Sequence, residues 1–376
     1  MTVPALLPAP PGRLPGLDLV RAVAILWVMA FHAYAAGLID GEHCVIAQGW
    51  IGVDLFFALS GYLIGGQLLR PFARGDPAQL RRFYARRLLR TLPPYAVVLA
   101  LYFAAPMWRE QPQIQPFWQF ISFTENLFAD MRGPKAFSHV WSLCIEEQFY
   151  LVAPLAVWLL MRRPTAAKAV IALAAAVAAG LAWRGFEWVH TLAPLQQAAG
   201  HRHPFWVAWQ ETIYYATPAR LDDLIGGVTL AVVRVFRPAA WARLMGHANL
   251  ALAFGVGAIG AAVWLSLQTP CLLNTLVEFP ILGLGTTLVV AAGASDGSLI
   301  SRWRVPGAGL VAAMAYSLYL THKEAYHLVR LAGGGALDHQ PALRLALCGG
   351  LALVVGAALY RAVEGPALGW RDRMMG

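Results

Sequence analysis

An arginine and a histidine stand eleven residues apart in the first apolar stretch, LDLVRAVAILWVMAFH. On a helix, Arg21 and His32 fall within roughly 20° of one another, about 16 Å apart along the axis. Asp18 joins the same face, offset by roughly 40° from His32. An ionisable group inside a membrane span costs about 2.5–3.5 kcal/mol on insertion scales, so it persists where it is paired or lines a wet cavity. A neutral imidazole in such a cavity is a general base suited to neutral pH. The plainer reading is a snorkelling Asp and Arg near the membrane surface, with a structural histidine above them. On this helix alone both readings stay open.

Four further stretches concentrate reactive side chains. In RRFYARRLLRTLPPY (Arg81–Tyr95), Arg82, Arg86 and Arg90 repeat every four residues with Arg87 beside them. Guanidinium groups on one face offer bidentate donors to phosphate, or grip anionic lipid headgroups. FSHVWSLCIEEQFYL (Phe137–Leu151) brings His139, Glu146 and Glu147 together, and TPARLDDLIGG (Thr217–Gly227) holds Arg220, Asp222 and Asp223. In AYSLYLTHKEAYH, His322, Lys323, Glu324 and His327 crowd one helix. Ser60, in GVDLFFALSGYLI, has a protease nucleophile as one reading and close packing of small residues as the plainer one. The four cysteines are scattered with no CxxC, and no HExxH occurs, so no metal is expected.

These residues need elements to carry them, and composition says which. Of 376 residues, 59% are hydrophobic and 13% charged, about half the charge of a soluble domain. Too few ions remain to clothe a watery surface, which points to an all-α, polytopic membrane bundle rather than soluble domains. A span needs about 20 mostly apolar residues. Ten are expected, near Leu17–Leu38, Trp50–Leu69, Leu92–Trp108, Gln148–Met161 and Ala166–Trp183, then Ala219–Val235, Asn249–Leu267, Leu276–Gly293, Gly307–Leu328 and Ala342–Tyr360. The fourth is short and is expected to begin upstream, near Trp141. Residues 13–371 form one membrane domain, and the Pro-rich Met1–Gly12 is expected to be disordered.

The net charge of +9 belongs to short loops, not to a groove for nucleic acid. Most Lys and Arg residues fall in alternate loops, which places both termini in the cytoplasm by the positive-inside rule. Arg13, Arg21, the apolar run Ala22–Phe31 and Ala33-Tyr34-Ala35 also have the form of a cleavable secretory signal. Cleavage would discard Arg21 and His32, which favours a retained first span.

Taken in order, the stretches resemble the membrane-bound acyltransferase-3 family. The likeness runs from Leu14 to about Arg371. Arg21 and His32 match its Arg-x10-His helix, Arg87 and Arg90 its RxxR loop, and Glu146 the first acid of WSLxxEEQFY. ARLDDLIGG, SLYLTH and Glu364-Gly365-Pro366 match weaker signatures. The resemblance implies transfer of an acyl group, often acetyl, from cytosolic acyl-CoA to a hydroxyl of a carbohydrate-containing acceptor. It implies a stand-alone form, without the extracellular SGNH hydrolase-like domain of some relatives, since the chain ends shortly after the last span. On this reading His32 is the base, Glu146 orients the imidazole or the acceptor, and Arg86, Arg87 and Arg90 bind the CoA phosphates. Arg21 and Arg220 steady CoA or the developing charge. Lys323-Glu324 replace tryptophan-rich neighbours and leave His322 without an assigned role. A transporter or flippase of a glycan or lipid-linked substrate is the alternative from another class, although no internal duplication of the kind it would carry is evident.

Overall fold

The structure is a computed structural model that describes residues 14–39, 44–74, 80–200, 202–337 and 339–375. Met1–Gly12, expected to be disordered, lies outside them. Helices make up the described residues, with no strand among them. The longer ones begin with α1 (Pro15–Ala35), α2 (Ile51–Ala73), α3 (Leu80–Ala104), α4 (Trp141–Met161), α5 (Ala166–Glu187) and α6 (Asp222–Phe236). They are followed by α7 (Pro238–Gly246), α8 (Ala248–Ser266), α9 (Leu272–Gly293), α10 (Ala308–Gly333), α11 (Pro341–Leu359) and α12 (Gly365–Met375).

All ten expected spans coincide with helices, but not all are equally apolar. Among the described residues, seven helical segments are long and apolar enough to cross a membrane, or eight if the sharply bent pair α6–α7 is one span. The helices α3 and α10 are not among the seven. Polar residues and prolines account for this: Arg87, Arg90 and two prolines in one, and His322, Lys323 and Glu324 in the other. Their polar groups turn into the bundle, where they cost less than in lipid.

Three boundaries differ from expectation. The arginine-rich segment does not form a separate surface helix; α3 starts at Leu80 and runs through Pro93 and Pro94 as one element. Proline without an N–H is tolerated in spans because neighbouring groups satisfy the freed carbonyls. The carbonyls that Pro93 and Pro94 leave free are those of Leu89 and Arg90; beside them, the Thr91 carbonyl accepts from the Tyr316 hydroxyl at 3.1 Å. The sixth span turns through 114° at Arg237, and α7 runs off from its end. After α11, a wide turn over Tyr360–Glu364 leads into α12, which packs back on α3.

Small residues set the closest approach. The helices α2 and α6 pack along their lengths. A methyl group on Gly61 would collide with the Leu224 carbonyl, and one on Gly227 with the Ala58 carbonyl. Glycine at these two positions lets the backbones touch, as small residues do in membrane helix pairs. That contact brings Asp54 on α2 beside the start of α6.

Candidate active site

Buried charge gathers where α2, α5, α6 and α9 meet. Arg184 of α5 grips Asp222 through two hydrogen bonds, of 2.6 and 3.2 Å. Arg220, in the turn before α6, donates to Asp54 at 2.6 Å. Both guanidinium groups are fully buried, and each is paired. Asp223 accepts a 2.5 Å hydrogen bond from Thr286. In a low-dielectric interior, charges survive only when matched in this way. Arg220 does more than pair. Its guanidinium lies 4.1 Å from the Phe279 ring centre, 4.7 Å from Tyr214 and 5.5 Å from Trp141, all within cation–π range. It therefore stands behind an aromatic wall and lines neither of the two principal cavities.

Of these, one cavity, of about 110 Å³, is lined by Arg21, Arg87, Arg90, Glu146, Glu147 and Glu364 among others. Glu146 is locked in place: Ser60 donates to one carboxylate oxygen at 2.8 Å and Tyr150 to the other at 3.0 Å. The Tyr150 hydroxyl also lies 2.9 Å from Ser60. The Arg87 guanidinium sits 3.9 Å over the Tyr150 ring. Ser60 is thus a positioning donor to a carboxylate, with no histidine at hand to activate it. Arg86 is not in this cavity. It faces a neighbouring cleft of about 260 Å³ with Arg70, Arg74 and Arg82, and it donates to the Met375 carbonyl of α12 at 2.7 Å.

His32, in the last turn of α1, opens on two other cavities. Its Nδ1 lies 2.7 Å from Nε2 of His322 on α10. The other nitrogen of His322, Nδ1, is 3.0 Å from the Leu318 carbonyl. A carbonyl only accepts, so Nδ1 of His322 carries a hydrogen and, with the ring neutral, Nε2 accepts. His32 must then donate through Nδ1. This relay leaves the lone pair on His32 Nε2, which makes no hydrogen bond among the described residues. An imidazole fixed through one nitrogen with the other free is the geometry of a general base.

The two cavities at His32 differ in chemistry. On one side, a cavity of about 360 Å³ is faced by Trp50, Trp141, Trp206, Trp209, Tyr214 and Tyr215. On the other, a cavity of about 380 Å³ carries ion pairs. There Lys323 meets Glu110 at 3.0 Å, and Lys135 meets Asp130 at 3.3 Å. His139 completes a cluster of three imidazoles, its ring centre 6.1 Å from His32 and 5.3 Å from His322. No group of three or more His, Cys, Asp or Glu among the described residues is arranged to hold a metal ion.

Between the arginine cavity and the aromatic cavity stands a thin septum. Val53 and Tyr319 line both. The Tyr319 hydroxyl donates to the His139 carbonyl at 2.7 Å and accepts from Ser142 at 2.6 Å. Of the residues singled out in the sequence, Arg21, Arg87, Arg90 and Glu146 share the first cavity, and His32 faces the second. Glu146 and His32 are not joined; the partner of His32 is His322, which the sequence left without a role. The aromatic wall was also missed, because its members lie on three stretches far apart in the chain, at Trp50, at Trp141 and over residues 206–215.

A family model described as an acyltransferase domain matches residues 14–361. The chain is similar to O-acetyltransferase OatA of Staphylococcus aureus, with 27% identity over 335 residues, covering 83% of this chain and 50% of the relative. It is also similar to peptidoglycan O-acetyltransferase OatA of Listeria monocytogenes, with 30% identity over 241 residues, covering 59% of this chain and 34% of the relative. The chain thus spans about half the length, or less, of these curated relatives. No solved structure matches.

Proposed function

From its membership of the acyltransferase-domain family, to which this chain belongs across residues 14–361, we propose that it is a membrane O-acyltransferase moving an acyl group, acetyl in the first instance, from acyl-CoA to a hydroxyl of a carbohydrate-containing acceptor. The observation that carries this reading is the septum. An arginine-lined cavity and a histidine-lined cavity approach from opposite ends of α1 and are separated by Val53 and Tyr319.

Each side suits one substrate. Acyl-CoA is polyanionic and cytosolic, and Arg21, Arg87 and Arg90 offer it charge-assisted donors at the basic end of the bundle. That end faces the cytoplasm by the positive-inside rule, with both termini on the same side. The pantetheine arm enters past Glu146, which Ser60 and Tyr150 hold in one rotamer. The acceptor enters from the other face and presents its hydroxyl to His32.

In the transfer step, Nε2 of His32 takes the hydroxyl proton as the oxygen attacks the thioester carbonyl. The carbon–sulfur bond then breaks and the ester carbon–oxygen bond is complete. CoA leaves as thiolate and is protonated by the imidazolium, which restores the base. His322 holds His32 in the Nδ1–H tautomer throughout, and its own Nδ1–H is anchored on Leu318. A positioned base of this kind contributes about 10²–10⁴-fold in rate.

The test is CoA-thiol release by the purified protein in detergent, with acetyl-CoA and envelope glycan as substrates. The intact protein should release thiol and acetylate the glycan. His32→Ala should lose about 10²–10⁴-fold in turnover while remaining folded and abundant in the membrane. Undiminished turnover in that variant would remove His32 from the mechanism.

A further inference from the structure

We infer that the aromatic cavity beside His32 binds the acceptor as an electrically neutral sugar ring, and that this side of the protein selects against uronic and other acidic sugars. The inference rests on the acyl-transfer reading and specifies its acceptor.

The wall is the first observation. Tyr214 is the hub of a ring cluster: Trp209 stacks parallel to it at 5.9 Å and 25°, Trp50 meets it edge-on at 6.0 Å, and Trp141 tilts against it at 4.9 Å. The buried Arg220–Asp54 pair braces this cluster from behind. A rigid face of this kind matches the C–H face of a pyranose, which is apolar, while the rim of a sugar requires hydrogen-bonding groups. Those groups are present in uncharged form. Gln48, Gln210, Gln268 and Asn274 line the same cavity, and amides both donate and accept. A volume of about 360 Å³ falls within the range of small-molecule sites.

Charge is the second observation, and it is what narrows the class. Among the described residues, no lysine or arginine lines the aromatic cavity, and its one carboxylate is Glu278. A carboxylate on the ligand would therefore face the negative π-faces of the wall and an acid, with no cation to pair it. In the second cavity at His32, Lys323 and Lys135 are engaged by Glu110 and Asp130, and Arg330, which also lines that cavity, does not line the aromatic one where the ring is held.

His139 is the third. It is buried beside the aromatic wall, and neither ring nitrogen makes a hydrogen bond among the described residues. An unsatisfied buried polar group calls for a partner. A sugar hydroxyl seated between His139 and His32 supplies one, and that hydroxyl is the one placed for acylation.

The experiment offers the full-length protein labelled acetyl-CoA and an equimolar mixture of neutral and uronic-acid-containing oligosaccharides. Mass spectrometry then reads which residue carries the acetyl group. Neutral residues should be favoured by about ten-fold or more. Trp209→Ala should raise KM for the neutral acceptor about ten-fold with a smaller change in kcat, the pattern of lost ground-state binding. Because Trp209 is partly packed, Gln268→Arg at the exposed rim provides a second reading: the preference should move toward the acidic sugars by about ten-fold. Acetyl groups on acidic residues in equal or greater amount with the intact protein would overturn the neutral-ring inference and leave acyl transfer standing. No thioester turnover with any glycan would instead overturn acyl transfer itself, and the inference with it.

Discussion

The two ends of α1 serve opposite purposes with the same helix. Arg21 looks into a cavity of ionic groups, and His32 looks into one of rings and amides. At the first end, arginines and carboxylates are held close but keep faces toward the space between them. At the second, no Lys or Arg among the described residues lines the aromatic cavity, and three neighbouring cations are paired: Arg220 with Asp54, Lys323 with Glu110, Lys135 with Asp130. What differs is which groups line the space, and on the acyl-transfer proposal that difference sorts a polyanionic donor from a neutral acceptor. Tyr319, shared by both, marks the place where they must meet.

The comparison breaks most easily at its brace. Arg220→Leu should strand a buried carboxylate on Asp54 and cost about 3–5 kcal/mol, measurable as a fall in melting temperature in detergent. Adding Asp54→Asn should recover much of that loss, since the stranded charge disappears. An undiminished melting temperature in Arg220→Leu would mean that the pair does not hold the aromatic wall.

Next in size is the arginine end. Arg87→Ala with Arg90→Ala should raise KM for acetyl-CoA about 10–100-fold and leave acceptor KM nearly unchanged, as two charge-assisted contacts are lost. Equal effects on both substrates would erase the division of labour between the cavities. A subtler change sharpens the histidine end. His322→Gln keeps an acceptor for the Nδ1–H of His32, whereas His322→Leu does not. The leucine variant should lose about ten-fold in kcat, and the glutamine variant noticeably less. If the two fall together, His322 contributes packing and not tautomer control. Smallest of all, Arg86→Ala alone should change acetyl-CoA KM by about three-fold or less, because Arg86 faces the neighbouring cleft and is tied to the Met375 carbonyl.

Much of this was legible in the sequence, for identifiable reasons. Periodicity and hydropathy locate all ten helices, and the cost of burying Arg21 and His32 on one face marks α1 as functional. The four-residue repeat of arginines marks the donor end, but periodicity alone does not separate Arg86 from Arg87. Adjacent helical residues point about 100° apart, so one turned to the arginine cavity and the other away. The family resemblance assigned Arg220 to CoA or the developing charge, whereas in the structure its guanidinium pairs with Asp54, 166 residues earlier in the chain. The His32–His322 contact spans 290 residues, and no local pattern signals such a pairing. The aromatic wall is invisible for the same reason: its rings come from the start of α2, the start of α4 and residues 203–215, which only packing brings together.

The central claim is that donor and acceptor reach one imidazole from opposite faces of the membrane. Proteoliposomes test it directly, with labelled acetyl-CoA sealed in the lumen and a membrane-impermeant neutral oligosaccharide outside. Label should appear on the external oligosaccharide with the intact protein and be lost with His32→Ala. Label transferred only when both substrates occupy the same compartment would contradict it.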